Sequence, residues 1–299
     1  MKKHIREFVQ GERIHTSFSI KQKWLKNNWM SFLLSDSSGE IEGPYYRSDF
    51  EKVYDSFNEN EVVEIDGTVS GNKIRIDQIK LCKEYDVADF LPTTSKDIET
   101  MFSEIKKIAS ELEEKNLRQL LEGFFSDGNF LEKFKRCPAS LKIHHAYVGG
   151  LLEHTLNVTN IVRYSTSLYN VDRDLAIAGA ILHDIGKIKE YEVTTNIKES
   201  EEGFLFGHII LGKEMAEKEI DQMKSFPETL KNKILHIILS HHDRLEYGSP
   251  KQAEFEEAYI VHCADMLDSK VFQFQSAKIR ASKDKFKTYD KRLGGVYLK

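Results

Sequence analysis

Cysteine is scarce in this chain, with three among 299 residues. Cys82, Cys137 and Cys263 are odd in number, far apart and in no Cys-x-x-Cys spacing. That argues against a disulfide framework or a thiolate metal site and reads as reduced thiols of a cytoplasmic protein. No apolar run approaches the length of a membrane span, and the opening Met-Lys-Lys-His-Ile-Arg-Glu lacks the apolar core of a signal peptide. Internal repeats and low-complexity tracts are missing as well. Charge of one sign is not in excess either: the net charge of −5 does not advertise a nucleic-acid binder. What is there is the composition of a soluble globular protein, 40% hydrophobic and 30% charged, at a length that suits two domains.

The charge distribution says more than its sum. From Lys270 to Lys299 there are nine Lys or Arg against two Asp, with Phe272, Phe274, Phe286, Tyr289 and Tyr297 interleaved. Such a stretch can neutralise phosphates and stack on unpaired bases, or be a solvated amphipathic tail.

Alternation of apolar and polar residues marks the first eighty or so positions as β-structure: Arg13–Ile20, Trp29–Leu34, Val62–Val69 and Lys73–Leu81. Ser35–Gly39 reads as a hairpin turn, and Ser48–Phe57 as a short amphipathic helix between the third and fourth strands. Five short strands with a helix there predict an OB-like barrel. Alternation stops around Asp86–Ser95, where proline and hydroxyl residues gather, and the pattern beyond is helical, with Ser95 and Glu99 near the first helix start. The expected organisation is an all-β OB-like domain over 1–86, a linker and connecting helix over 87–116, and an all-α domain over 117–299 ending in the basic tail.

Within the helical part, Leu175–Leu182 is almost wholly apolar, follows Asp174, and runs directly into His183-Asp184, with Gly186 as a helix stop. A buried helix ending in an imidazole and a carboxylate points to a cation, because a buried carboxylate without a partner is costly. Lys187 could serve that need instead. His154 and Asp265 lie in other strongly apolar helices, His241 and His242 end the helix that starts at Glu228, and His208 follows Gly207 at a helix start. Nitrogen and oxygen donors without thiolate favour Mn, Fe, Co, Ni or Zn over Ca or Mg. Isolated histidines such as His4, His15, His236 and His262 carry no functional assignment.

His154, His183-Asp184 and Asp265 resemble the H…HD…D signature of the HD phosphohydrolase superfamily. More closely, His144-His-Ala-Tyr-Val-Gly-Gly-Leu-Leu-Glu-His-Thr155, Ile181-Leu-His-Asp-Ile-Gly-Lys187 and Leu239-Ser-His-His242 resemble the YhaM-type 3′→5′ exoribonucleases, in which an OB-fold precedes an HD domain. Asp89–Pro92 and Tyr289–Gly294 resemble further segments of that family.

The resemblance implies a metal-dependent 3′→5′ exoribonuclease acting on single-stranded RNA, with single-stranded DNA as a second partner. His154, His183, Asp184 and Asp265 would hold a first ion, manganese foremost. His208, His241 and His242, with Asp184 shared, would hold a second, so that one or two ions are expected. Lys187 would stabilise phosphoryl charge, although a surface lysine at a helix end is the plain alternative. His144 and His145 would line the nucleotide pocket, and Gly149-Gly150 would allow a close backbone approach. In the barrel, Lys21, Lys23, Lys26 and Trp29 are the candidates for contacting the strand. Hydrolysis of small or cyclic nucleotides, and a non-catalytic nucleic-acid-binding module, are the competing functions. No membrane is implied, and a homo-oligomer stays open.

Overall fold

In the computed structural model, which describes residues 3–141, 143, 145–281 and 285–299, the alternating segments become β1 (Arg13–Leu25), β2 (Met30–Asp36), β3 (Gly39–Tyr45), β4 (Val62–Ser70) and β5 (Lys73–Leu81), with helix α1 (Phe50–Ser56) between β3 and β4. They close into a barrel of order β1-β2-β3-β5-β4. Neighbours are antiparallel except at the seam, where β3 and β5 run parallel through the pair Glu42–Lys73. The long first strand serves both sides of the barrel, pairing with β4 from Arg13 and with β2 through Leu25. An irregularity between Ile20 and Gln22 gives it the bend this requires. Inward-facing Phe18, Ile20, Met30, Phe32, Leu34, Ile65 and Ile74 fill the interior.

The chain divides into two compact units, residues 1–93 with 193–197, and residues 94–192 with 198–299. The second is built from α2 (Ile98–Ser110), α3 (Lys115–Ser126), α4 (Gly128–Arg136), α5 (Gly150–Thr166), α6 (Arg173–Leu182), α7 (Lys187–Glu190), α8 (Glu201–Asp221), α9 (Glu228–Ser240) and α10 (Glu256–Arg280). Two small hairpins are also formed, β6 (Tyr191–Val193) with β7 (Ile197–Glu199), and β8 (Lys287–Asp290) with β9 (Gly294–Tyr297).

The helical core is one continuous cluster in which α6 is buried from Asp174 to Leu182. Leu151, Leu152, Val158, Leu175, Ile177, Ile234, Ile237 and Val261 are fully enclosed in it. Capping differs in detail from the sequence expectation. Asp97, two residues after Ser95, caps α2 by accepting from Thr100 N. Asp172, rather than Asp174, caps α6. Asp174 reaches instead to the start of α3, accepting from Glu113 N and Glu114 N, so a carboxylate inside one helix satisfies the free amides of another. The basic stretch after Lys270 is not a loose tail: it continues α10 to Arg280 and then forms the β8–β9 hairpin.

One glycine in the barrel gives a direct test of its packing. Gly67 sits at a second irregularity, between β4 and β5. A Cβ there would lie 2.7 Å from the Arg75 carbonyl oxygen and 2.7 Å from Ile74 Cγ2. Backbone cannot move aside as a flexible side-chain end can. Gly67→Ala is therefore expected to destabilise the barrel by about 1–3 kcal/mol, read as a lower midpoint in denaturant unfolding; an unchanged midpoint would refute the close approach.

A candidate metal centre in the helical unit

His183 is the residue that closes α6, and Asp184 follows it in the turn leading to α7. His154 comes from α5, Asp265 from α10 and His208 from α8, while His241 and His242 follow the end of α9. Five segments thus converge. Their donor atoms form two groups, His154–His183–Asp265 and His208–His241–His242, each with its ligand atoms within 4.8 Å of one another. Asp184 lies between them. Its Oδ2 is 3.3 Å from His183 Nε2 and 3.5 Å from His154 Nε2. Its Oδ1 is 3.5 Å from both His208 Nε2 and His241 Nε2.

The imidazoles share one orientation. Nδ1 of His183 meets the Ala180 carbonyl at 2.8 Å, that of His241 the Ile238 carbonyl at 2.8 Å, and that of His242 the Tyr247 carbonyl at 2.7 Å. A carbonyl only accepts, so in these rings Nδ1 carries the proton and Nε2 presents its lone pair to the centre. His208 Nδ1 meets Glu190 Oε1 at 3.1 Å and His154 Nδ1 meets Asp268 Oδ2 at 2.7 Å. Anchoring one ring nitrogen to aim the other is the usual outer-sphere arrangement of a metal-ligating histidine.

The donor set fits a cation. Asp184 Oδ1, His208 Nε2 and His241 Nε2 are sealed from solvent yet have no hydrogen-bond partner. Ligands about 2.1 Å from one ion stand roughly 3.0–3.4 Å apart, close to the 3.2–3.5 Å separations here. Buried polar atoms left unsatisfied are rare and need a reason; convergence on an ion supplies one.

Charge is arranged accordingly. Burial would raise the Asp184 carboxyl, but Lys187 and His183 outweigh it and hold the group well below the usual carboxylate range. Burial likewise opposes ionisation of Asp265, and His154 overrides it. Burial disfavours charge on His154, yet Asp265 and Asp268 lift its pKa to about 9. His242 goes the other way, pushed down to about 4 by burial and by neighbouring His241. Lys187 is buried, 4% exposed, not a surface lysine. Its ammonium donates to Asp184 Oδ2 at 2.5 Å, and Asp184 keeps it protonated against the burial that opposes its charge.

Glycines decide how closely these elements meet. Gly186 has right-handed helical backbone (φ −63°), so it is not the left-handed helix stop expected from sequence. Its hydrogen side chain matters for another reason: a Cβ would lie 1.9 Å from the His208 carbonyl oxygen. The glycine lets α8 bring His208 against the His183-Asp184 turn. Gly207, with φ 70°, breaks α8 just before His208 and redirects the chain. Gly150 likewise leaves room for the His145 carbonyl, which a Cβ would approach to 1.9 Å.

The remaining sequence candidates are placed as follows. His144 lies outside the described residues. His145 is buried in left-handed backbone (φ 44°), with Nε2 3.0 Å from Asp268 Oδ2 and Nδ1 2.8 Å from the Tyr147 hydroxyl. In the barrel unit, Lys23 donates to the Tyr54 and Phe57 carbonyls, and Lys21 to Asn196 Oδ1. Trp29 is partly exposed and packs 5.3 Å, centroid to centroid, from Tyr46.

Sequence reasoning passed over Asp268, Glu190 and His262. Asp268 accepts from Asn157 as well as engaging His145 and His154. It stands three residues after Asp265 on the same helix, a spacing that puts both carboxylates on one face and could have flagged it. His262 supports the His241 carbonyl at 2.8 Å.

A cleft of about 800 Å³ opens on the centre, with Lys187, His242 and Asp265 in its wall. Residues 151–270, which span these ligands, match the HD domain family. Among solved structures, asparaginyl-tRNA synthetase from Pyrococcus horikoshii complexed with asparaginyl-adenylate is similar at 10% identity and TM-score 0.24, over 78% of this chain and 63% of that one. A second structure of that synthetase gives 10% identity and TM-score 0.25, over 78% and 61%. The chain thus spans less than two thirds of either synthetase chain, and at these TM-scores the likeness carries no argument. The fold class is an N-terminal closed, OB-like barrel followed by a helical region that contains an HD domain. That domain indicates a metal-dependent phosphohydrolase.

Two outcomes test this centre. Asp268→Asn keeps the shape of the side chain but weakens its grip on His154, and is expected to lower Mn²⁺ affinity by about 10–100-fold in calorimetric titration without loss of the thermal transition. Gly186→Ala should displace His208 and weaken binding as well. Wild-type affinity in both variants would refute the supporting roles given to these residues.

Proposed function

We propose that this protein is a metal-dependent phosphodiesterase that removes nucleoside 5′-monophosphates from the 3′ end of single-stranded RNA, with single-stranded DNA as a second substrate. The observation that carries the reading is the placement of one buried carboxylate, Asp184, between two groups of inward-aimed imidazoles at the wall of an open cleft. His154, His183 and Asp265 would hold one divalent ion, His208, His241 and His242 a second, and Asp184 would serve both. The nitrogen and oxygen donors suit manganese, with cobalt, iron, nickel or zinc as substitutes. Cys137 stays out of the set, since its thiol points to the Lys187 carbonyl and burial raises its pKa.

Bound divalent ions would supply Lewis acidity and lower the pKa of an attacking water. The protein's own residues do the rest. Asp268, Glu190 and backbone carbonyls hold the imidazoles so that no reorientation accompanies the reaction. Lys187 lines the cleft beside Asp184 and is placed to offset charge developing on the phosphoryl oxygens. Tyr247 and Tyr259, both exposed in the cleft, give a nucleobase surfaces on which to rest.

RNA as substrate is supported by the run His144–Thr155 and its companion motifs, which resemble the YhaM-type exoribonucleases along much of the chain. The barrel supports it too, as a fold whose relatives often bind single strands. Trp29 beside Tyr46 offers stacking surface there, and Lys21 and Lys23 lie on the adjoining strand. The scarcity of cysteine fits a reducing cytoplasm.

Incubation with Mn²⁺ and a 5′-labelled single-stranded RNA is expected to give a ladder shortening from the 3′ end. Chelation with EDTA should abolish it and Mn²⁺ restore it. Turnover of mononucleotides or cyclic dinucleotides alone would overturn the exonuclease reading, and binding without turnover under every metal would overturn the enzymatic one. Asp184→Ala, which removes the ligand shared by both groups, should drop hydrolysis below detection; wild-type rates in that variant would refute the site.

A further inference from the structure

Three cations line the same cleft as Lys187 and stand apart from the metal centre: Arg244, Lys270 and Arg292. They come from three different elements. Arg244 follows the left-handed turn at Asp243 after α9, Lys270 lies on α10, and Arg292 sits in the turn of the β8–β9 hairpin. All are exposed, and among the described residues none has an ion pair or side-chain hydrogen bond to a carboxylate. Three of the acids near them are engaged elsewhere, while Glu246 and Glu254 line a neighbouring cleft with Arg244. Asp243 accepts from Ala253 N, Asp265 faces His154, and Asp290 takes the Arg292 and Leu293 amides on one oxygen and Arg280 on the other. Asp290 thereby shapes the turn and attracts Arg292 through space, with no hydrogen bond to its guanidinium.

Exposed cations gathered on one wall, from segments far apart in sequence, raise the local positive potential and favour an anion there. Lys187 already accompanies the phosphate that would react. A second phosphate would suit the other three. Tyr247 and Tyr259 stand in the same wall, and Gln273 there carries a buried Oε1 with no partner, so the surroundings suit a nucleoside as well as its phosphate.

We infer that Arg244, Lys270 and Arg292 form a second phosphate site that binds the phosphodiester next to the scissile one, making a linear oligonucleotide with at least two internal phosphates the preferred substrate. The inference rests on the phosphodiesterase reading above and narrows its substrate class. A linear chain is favoured over a cyclic dinucleotide because the cations are exposed on an open wall, where a strand can continue outward into solvent.

The test uses the full-length protein with Mn²⁺ and four substrates: bis(4-nitrophenyl) phosphate, the dinucleotide NpN, the trinucleotide NpNpN and a cyclic dinucleotide. The wild type should show a kcat/KM for NpNpN about tenfold or more above that for NpN, since only the longer substrate carries the second phosphate. The combined variant Arg244→Ala, Lys270→Ala, Arg292→Ala should lose that step while bis(4-nitrophenyl) phosphate turnover stays within about twofold, because that diester does not extend to the second site. With a fluorescein-labelled pentanucleotide, anisotropy titrations at several salt concentrations should show the slope of log K against log salt falling by about 0.7 in magnitude, the increment for one phosphate no longer neutralised. An unchanged preference for NpNpN and an unchanged salt slope in the variant would overturn the inference, as would a wild type that prefers the cyclic dinucleotide. If the wild type hydrolyses no diester, the phosphodiesterase reading fails on its own terms, and the anisotropy slope still decides whether the cations hold a second phosphate.

Discussion

The Asp184 carboxylate is the constraint on which the helical unit turns. It is 1% exposed, at the end of a helix with no polar face, and burial works against its charge. Desolvating a carboxylate costs several kcal/mol, even after relaxation. The surrounding structure offsets that cost at Oδ2, through Lys187 from the next turn, His183 from the preceding residue and His154 from α5, while Oδ1 faces His208 and His241 without a hydrogen bond, as a cation would require. Removing the carboxylate would leave a buried ammonium and a set of inward imidazoles without their common partner. Helix packing, charge and metal affinity are thus coupled through a single residue.

Rigidity around that residue comes from the outer partners. Each imidazole is tied at Nδ1, to the carbonyl of the helix turn that bears it, to a nearby loop carbonyl, or to a carboxylate on a neighbouring element. A second chain of contacts supports His154 from behind: Asp268 bonds His145, His145 bonds Tyr147, and Tyr147 donates to Glu153, which also takes Thr94 and Lys96. His145 holds a left-handed backbone in this network. Such strain persists where the surroundings over-determine it. Close backbone approaches at Gly150 and Gly186 then bring the supporting segments to within hydrogen-bond reach.

The cleft wall divides chemistry from recognition. On one side lie the buried donors and Lys187, which act on a phosphate without regard to what it is attached to. On the other lie exposed cations and tyrosines, which in the proposed function would respond to the length and bases of the chain. The first group is sealed, so its interactions keep their strength; the second is solvated, so its interactions are weaker and sensitive to salt. In the proposed phosphodiesterase, the first group would act on the diester and the second would select by what lies next to the reacting bond.

Much of this was legible in the linear chain. Strand alternation gave the barrel, because side chains on successive residues point to opposite faces and one face must be dry. The apolar run Leu175–Leu182 gave a buried helix, and the imidazoles and carboxylates set into apolar helices gave a cluster that core packing alone does not account for. Other features depended on where distant segments meet. The role of Gly186 looked like a helix stop and is a helix contact; Asp174 looked like a cap for its own helix and serves α3; the basic end looked like a tail and is a helix and a hairpin. Lys187 looked equally suited to the surface and proved buried. Glu190 and His262 gave no local signal, since each acts on a residue far away in sequence, whereas Asp268 had only its spacing from Asp265 to mark it. The sequence by itself determined the elements, their order and the kinds of donor available, because these follow from local periodicity and side-chain chemistry. Only the tertiary structure decided which nitrogen of each ring faces inward, which oxygen of Asp184 faces which group, and which cations are left without a partner, because those depend on distances between segments that the chain order does not encode.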